Sequence, residues 1–214
     1  MIHVITSENR GRYERQLAEH HRIRHQIYIG ERNWFGIEDR DGLEFDQFDN
    51  DDTIYLLEID GNGAVVGGTR MYPTTKPHLM SHVWPELAAV KGVPAAPDIF
   101  EWTRLFIAKD RRQDGKDGQR MLGRLFASGL EYGLQEGIRE LSLQFEPFWF
   151  PRLQRQGFKI TPLGLPTKIR DEWWIGATIA VTEEALQSTR AYYDVQGPLL
   201  VKDGITGPAI RRAA

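Results

Sequence analysis

Four short segments of this 214-residue chain bring together side chains that bind charged small molecules and move protons. They are Arg24-His-Gln-Ile-Tyr28 with Trp34, Glu44-Phe-Asp46-Gln-Phe-Asp49, Gly67-Gly-Thr-Arg70-Met-Tyr-Pro73-Thr74-Thr75, and Glu101-Trp-Thr-Arg104. Carboxylates, guanidinium groups and aromatic faces in one cleft suit a ligand that carries both signs of charge. Glu101 stands between apolar neighbours, where burial raises a carboxylate's basicity and Arg104 lowers it, so it is a candidate general base acting directly or through a water. The chain has no cysteine and no Gly-x-Ser-x-Gly elbow, so no thiol or elbow serine is read as a covalent nucleophile. His21 and His25 share a helix face without a third ligand nearby, which reads as packing or solvation and not as a metal site.

Taken singly, each Asp or Arg is most often a surface or capping residue, and Trp34 and Trp84 suit core packing as well as ligand contact. The order of the segments carries more weight. It resembles that of the LuxI-type autoinducer synthases, the acyl-homoserine-lactone synthases. Their pattern has Arg-x-x-x-Phe on the first helix, then a Trp, Asp-x-x-Asp before a hairpin, Arg before Pro-Thr-Thr, an aromatic before Pro, and Glu-x-x-Arg on a central strand. The resemblance runs from residue 1 to about residue 164. Tyr28 and Trp84 stand where Phe is usual, which alters the bulk of the pocket more than the reaction.

The resemblance implies an enzyme that moves an acyl group from a thioester to the amine of S-adenosylmethionine and then closes a lactone, releasing methylthioadenosine, as a quorum-sensing signal. It implies that Arg24, Tyr28, Trp34, Asp46, Asp49 and Arg104 hold S-adenosylmethionine, and that Glu101, Arg104 and Asp46 serve catalysis. Arg70 and Trp84 shape the cleft. No permanently bound cofactor is expected, and acylation is expected to precede lactonisation. The rival readings are a generic N-acyltransferase that never releases methylthioadenosine, and a non-catalytic sensor of S-adenosylmethionine or an acyl ligand.

The thioester is expected to be acyl-coenzyme A, slightly ahead of acyl carrier protein. Lys109, Arg111, Arg112, Lys116, Arg120 and Arg124 outnumber Asp110, Asp114 and Asp117 in a stretch placed to open a helix. Arg111, Arg112, Lys116 and Arg120 are the candidates for coenzyme A phosphates or an acidic carrier protein, with a solvated loop as the bland alternative. Glu146-Pro-Phe148-Trp149-Phe150-Pro151 and Pro162-Leu-Gly-Leu-Pro166 look like the subgroup that uses branched or aryl acyl-coenzyme A. Trp102, Phe145, Phe148 and Trp149 are the candidate acyl-pocket aromatics, with Ser142 and Gln144 as polar neighbours, one of which is expected to face away.

These side chains need a scaffold, and hydrophobic periodicity supplies one. Strands are predicted at residues 2–6, 53–59, 64–72, 99–108, 140–145, 158–161 and 173–181, with helices at 9–31, 118–136, 147–156 and 183–193. Asp60-Gly61-Asn62-Gly63 marks a tight hairpin turn. Residues 73–97, interrupted by prolines, read as a cover with short helical turns. The sum is an α/β fold of three α/β/α layers around a mixed sheet of about six to eight strands, similar to the GNAT N-acyltransferase fold, in one domain spanning 1–214.

Composition agrees with a globular enzyme: 41% hydrophobic and 27% charged residues exclude a disordered or collagen-like chain. A formal net charge of -3 gives no global attraction for nucleic acid. The expected partners are therefore small-molecule substrates and, for one donor class, acyl carrier protein. No apolar run approaches the ~20 residues of a membrane helix and no export signal is read, so no membrane is expected and the cytoplasm is the expected compartment.

Overall fold

The computed structural model describes residues 1–34, 38–112 and 115–202. Asp114 and the polar tail from residue 203 lie outside the described residues. A nine-stranded sheet forms the centre. Its strands are β1 (Ile2–Ile5), β4 (Ile54–Ile59), β5 (Val65–Pro73), β6 (Ile99–Ile107), β7 (Glu140–Phe145), β8 (Ile160–Pro162), β9 (Thr167–Ile169), β10 (Glu172–Ala180) and β11 (Leu200–Val201). The order is β11-β1-β4-β5-β6-β7-β10-β8, with β9 also on β10. β1 with β11 and β6 with β7 are parallel, and the other pairs antiparallel. A separate small hairpin joins β2 (Glu38–Arg40) to β3 (Leu43–Phe45).

The mixed α/β architecture is the expected one, with nine strands in the main sheet where six to eight were predicted. The surplus comes from β9 and β11, of three and two residues, too short for alternation to register in a sequence.

One face of the sheet is covered by α3 (Lys116–Glu136) and α5 (Glu183–Tyr193). Leu125, Phe126 and Leu130 of α3 pack there with Trp102, Leu141, Phe145 and Ile179 in the main core. The other face carries α1 (Glu14–Arg24), its π-helical continuation His25–Glu31, the short α2 (Leu79–His82) and a 3₁₀ turn, Pro85–Ala88. Ile23, Ile27 and Tyr28 meet Tyr55, Leu57 and Phe106 in a second core. The single helix predicted over 9–31 is instead a 3₁₀ turn at Arg10–Arg12, a break at Tyr13, an α-helix from Glu14 and last turns that widen to π, a distortion frequent at functional sites.

One local feature decides where the chemistry sits. β6 and β7 pair only from Ile99↔Glu140 to Glu101↔Ser142 and then part, leaving an aperture between two central strands.

Candidate active site

Regular strand alternation would send Glu101 and Arg104, three residues apart, to opposite faces. β6 avoids this with a bulge: Gly68 pairs with Phe106 and Arg70 with Thr103, so three steps on β6 match two on β5. Arg104 takes φ +56, a left-handed conformation costly for a residue with a side chain. The bulge turns Arg104 to the α1 face, where its guanidinium carbon lies 5.3 Å from the centre of the Tyr28 ring and 5.7 Å from that of Trp34.

There it joins a closed ring of alternating charge. Arg24 bonds Glu44 through Nε and grips both oxygens of Asp49 at 2.7 and 2.8 Å. Asp49 meets Arg70 at 3.1 Å, Arg70 meets Asp46 at 2.6 Å, Asp46 meets Arg104 at 2.8 Å, and Arg104 returns to Glu44 at 3.0 Å. Three guanidinium groups balance three carboxylates, which makes so buried a cluster tolerable.

The local fields follow the geometry. Burial favours a protonated Glu44, but Arg104 and Arg24 overcome that and hold it at about 2. Asp49 is likewise held well below the carboxylate range, burial being outweighed by Arg24 and Arg70. Burial and then Arg24 lower His21 to about 4, so it is neutral near pH 7. The ring is sealed at one end and open at the other: the side chains of Arg24, Arg70, Glu44 and Asp49 are at most 1% exposed, while Asp46 reaches 10% and Arg104 5%.

Two cavities meet at that open end. One, of about 450 Å³, lies on the α1 and α2 side between Asp46, Phe48, Leu79, Trp84, Arg104 and Trp174, under the β9–β10 turn. The other, of about 380 Å³, enters beside Tyr28, Arg32 and Arg104, passes between Thr103 and Leu105 of β6 and Leu143 and Phe145 of β7, and reaches Leu122, Phe126 and Leu153. It thus runs through the aperture to the α3 face. Arg32, Trp34, Arg104 and Trp174 border both. Tyr28 stacks on Trp34 at 4.7 Å and donates its hydroxyl to the Leu105 carbonyl at 3.1 Å. Trp174 touches Trp34 edge-on at 5.7 Å and stacks on Trp84 at 5.3 Å.

Glu101 lies on the same face as Asp46 but borders neither cavity. It is fully buried and accepts the N–H groups of Leu79 and Met80 at 3.0 and 2.8 Å and Gln144 Nε2 at 2.9 Å. It therefore fixes the first turn of α2 and, through Leu79 and Gln144, one wall of each cavity.

Among the acyl-pocket candidates, Trp102, Gln144, Phe145 and Trp149 line the through-sheet cavity. Ser142 is buried against Met80, and Phe148 is half exposed under Arg152. The expectation that either Ser142 or Gln144 faces away is corrected: residues two apart on a strand share a face, and both point towards α2. Of the basic candidates, Arg112 lines this cavity, tied to Glu31 at 2.6 Å. Arg111 and Arg120 reach Asp60 and Asp194, and Lys116 opens α3 from an exposed position. Trp174 is an addition to the sequence reading, and Glu44, quoted there in its acidic segment without a role, proves to close the ring. Glu44 stands two residues before Asp46, and Trp174 lies in the C-terminal quarter where no motif draws attention to it.

A mixed sheet with a parted parallel pair and an apolar passage through the gap is the architecture of the GNAT-like fold. FeeM, an N-acyl amino acid synthase from uncultured soil microbes, shares this fold at 15% identity, with a TM-score of 0.56 over 90% of this chain and 98% of that one. Residues 8–189 match the autoinducer synthase family, and the chain belongs to it as an acyl-homoserine-lactone synthase. An isovaleryl-homoserine lactone synthase of Bradyrhizobium diazoefficiens is 45% identical over 186 residues, 87% of this chain and 82% of the relative. The CoA-dependent acyl-homoserine lactone synthase BjaI, solved with SAM and isopentyl-CoA, superposes with a TM-score of 0.90 at 40% identity, covering 98% of this chain and 96% of that one. Among the described residues no helix is long and apolar enough to cross a membrane.

Proposed function

We propose that this enzyme acylates S-adenosylmethionine with a short branched acyl group delivered as a coenzyme A thioester, and then releases the acyl-homoserine lactone and methylthioadenosine. The observation that carries this reading is the meeting of two unlike cavities at Arg104. The cavity at the open end of the charged ring suits S-adenosylmethionine: Asp46 faces an ammonium, Arg104 a carboxylate, and Trp34, Trp84 and Trp174 offer aromatic surface to a sulfonium and an adenine. The passage through the sheet suits an acyl chain, with the thioester carbonyl in the gap between β6 and β7.

In that arrangement the α-amine loses its proton and attacks the thioester carbonyl. The backbone freed where the strands part is placed to hold the developing oxyanion, and the coenzyme A thiolate leaves with a proton. Glu101 borders neither cavity, so its part as proton acceptor runs through a water, while its bonds to Leu79, Met80 and Gln144 hold the walls in place. The methionine-derived carboxylate then displaces the thioether at the carbon beside the sulfonium, a step that needs positioning above all. Arg32 and Arg112 at the mouth of the passage supply charge for the donor's phosphates. The relatives at 40–45% identity favour coenzyme A over a carrier protein, and isovaleryl is the acyl group to test first. Such an enzyme works in the cytoplasm.

The test is a matched panel of acyl groups, each supplied on coenzyme A and on acyl carrier protein, with lactone and methylthioadenosine read by mass spectrometry. Coenzyme A donors are expected to react at least about tenfold faster, a difference of roughly 1.4 kcal/mol in the barrier. Equal rates would remove the donor preference, and an absence of methylthioadenosine would return the chain to the generic N-acyltransferases.

A further inference from the structure

On the α3 side of the sheet the passage ends in a chamber bounded by Trp102, Leu122, Phe126, Phe145, Trp149 and Leu153. Trp102 is one of the walls contributed by β6. Its backbone is fixed by pairing with Met71 on β5, and its indole meets Phe126 edge-on at 5.9 Å. What lets the ring lie back against α3 is a missing side chain one turn beyond Phe126. A methyl group built on Gly129 would stand 2.6 Å from Cζ2 of Trp102 and 3.0 Å from both Cε2 and Cη2. The other interior glycines of α3 serve different neighbours: Gly123 receives Tyr193 of α5, and Gly133 receives Val181. Gly129 is the glycine of this helix whose vacant space is filled by a wall of the chamber.

We propose that Gly129 is a specificity-determining residue that sets the depth of the acyl chamber without touching the acyl group. This rests on the reading of the through-sheet cavity as the acyl site. A side chain at 129 obliges the indole to retreat by about 1 Å to regain ordinary carbon contact distances. The Cα of Trp102 is held in the sheet and one face of the ring is blocked by the helix. The space into which it yields is therefore the chamber it borders. A shallower chamber penalises the terminal branch of a five-carbon acyl group and spares a two- or three-carbon one.

The experiment measures kcat/KM for acetyl, propionyl, butyryl and isovaleryl groups, each on coenzyme A and on acyl carrier protein, in the wild type, Gly129→Ala, Trp102→Phe and the double variant. Gly129→Ala is expected to lower the isovaleryl-to-acetyl ratio by about tenfold, the usual worth of one methylene in an apolar pocket. The double variant is expected to restore that ratio, because a phenyl ring lacks the indole atoms that meet the new methyl. Trp102→Phe alone is expected to shift preference towards longer chains. Alanine is the better helix former, so a fall in melting temperature in Gly129→Ala that the double variant reverses would report the same collision.

An unchanged ratio in Gly129→Ala, or a double variant as impaired as the single one, would overturn the role of Gly129. A wild type that makes no lactone from either donor would instead overturn the function on which the inference stands. Reaction with carrier-protein donors alone would correct the donor and leave the chain-length ratio as the measure of Gly129.

Discussion

At the scale of single residues, the closed ring explains why acids and bases scattered over the first half of the chain are useful together. Each carboxylate bridges two guanidinium groups, so losing one member leaves two cations short of a partner in a place that water barely reaches. Glu44 is the clearest case, since its two oxygens serve Arg24 and Arg104. Glu44→Gln is expected to cost roughly 3 kcal/mol of stability, as breaking a buried pair does, and to lower kcat/KM by misplacing Arg104; urea unfolding and steady-state kinetics read the two effects. Because Glu44 is held at about 2 against an ordinary 4.5, its contribution is complete above pH 4.5 and is lost as pH falls towards 2. The variant should therefore show a shallower loss of stability over that interval.

Glu101→Gln separates chemistry from positioning. A lost proton acceptor lowers kcat by about a hundredfold or more with little change in KM. If Glu101 only anchors α2, KM for S-adenosylmethionine rises and the melting temperature falls. Asp46 and Arg104 are legible from sequence as a candidate pair, but their shared position at the open end of the ring is not. It depends on the bulge at Arg104, which a reading by strict alternation turns the wrong way.

At the scale of elements, the ring is held by α1 and its π continuation lying on the sheet, and that contact is sensitive to acid. His20 and His21 are buried beneath α1, between Tyr55, Phe106 and Phe45. Burial and then Arg24 lower both. The unfolded chain takes up a proton on His21 near 6.5 and the folded chain only near 4. Stability must therefore fall as pH drops from 6.5 to 4. His21→Phe keeps a ring against Phe45 and removes this titration, so its denaturation midpoint should vary less over that range, His20 supplying what slope remains. Unchanged slopes would mean that His21 does not titrate with unfolding.

The elements with long periodic runs were readable: the β4–β5 hairpin from its Asp-Gly-Asn-Gly turn, β6 and β7 from their apolar runs, and α3 from its stripe of Leu and Phe. What stayed hidden was short or irregular. β9 and β11 are too brief to alternate visibly. The widened turn over His25–Glu31 looks in sequence like ordinary helix, although it carries Tyr28 to Leu105 and Trp34.

At the scale of the whole molecule, the described sheet is a partition that parts between β6 and β7, and the proposed function draws its order of steps from that opening. On the proposed reading, S-adenosylmethionine occupies the cavity on the α1 and α2 side, the acyl chain occupies the chamber against α3, and the two meet at the gap beside Arg104. On that reading, Arg104 would hold the methionine-derived carboxylate before acylation, and Asp46 would attract the uncapped ammonium. Both contacts would keep the chain extended and the carboxylate away from the carbon beside the sulfonium. Acylation converts the ammonium to a neutral amide, removes its attraction to Asp46, and frees the chain to curl towards a five-membered ring. S-adenosylmethionine alone should therefore release no methylthioadenosine above the rate in buffer, and in a rapid-quench experiment acylated S-adenosylmethionine should rise before the lactone. Asp46→Asn should weaken the first step, seen as a higher KM for S-adenosylmethionine, while leaving the decay of that intermediate nearly unchanged. Lactone without an acyl group, formed from S-adenosylmethionine alone, would show that ring closure is not gated by the amide and that the two sides of the sheet act independently.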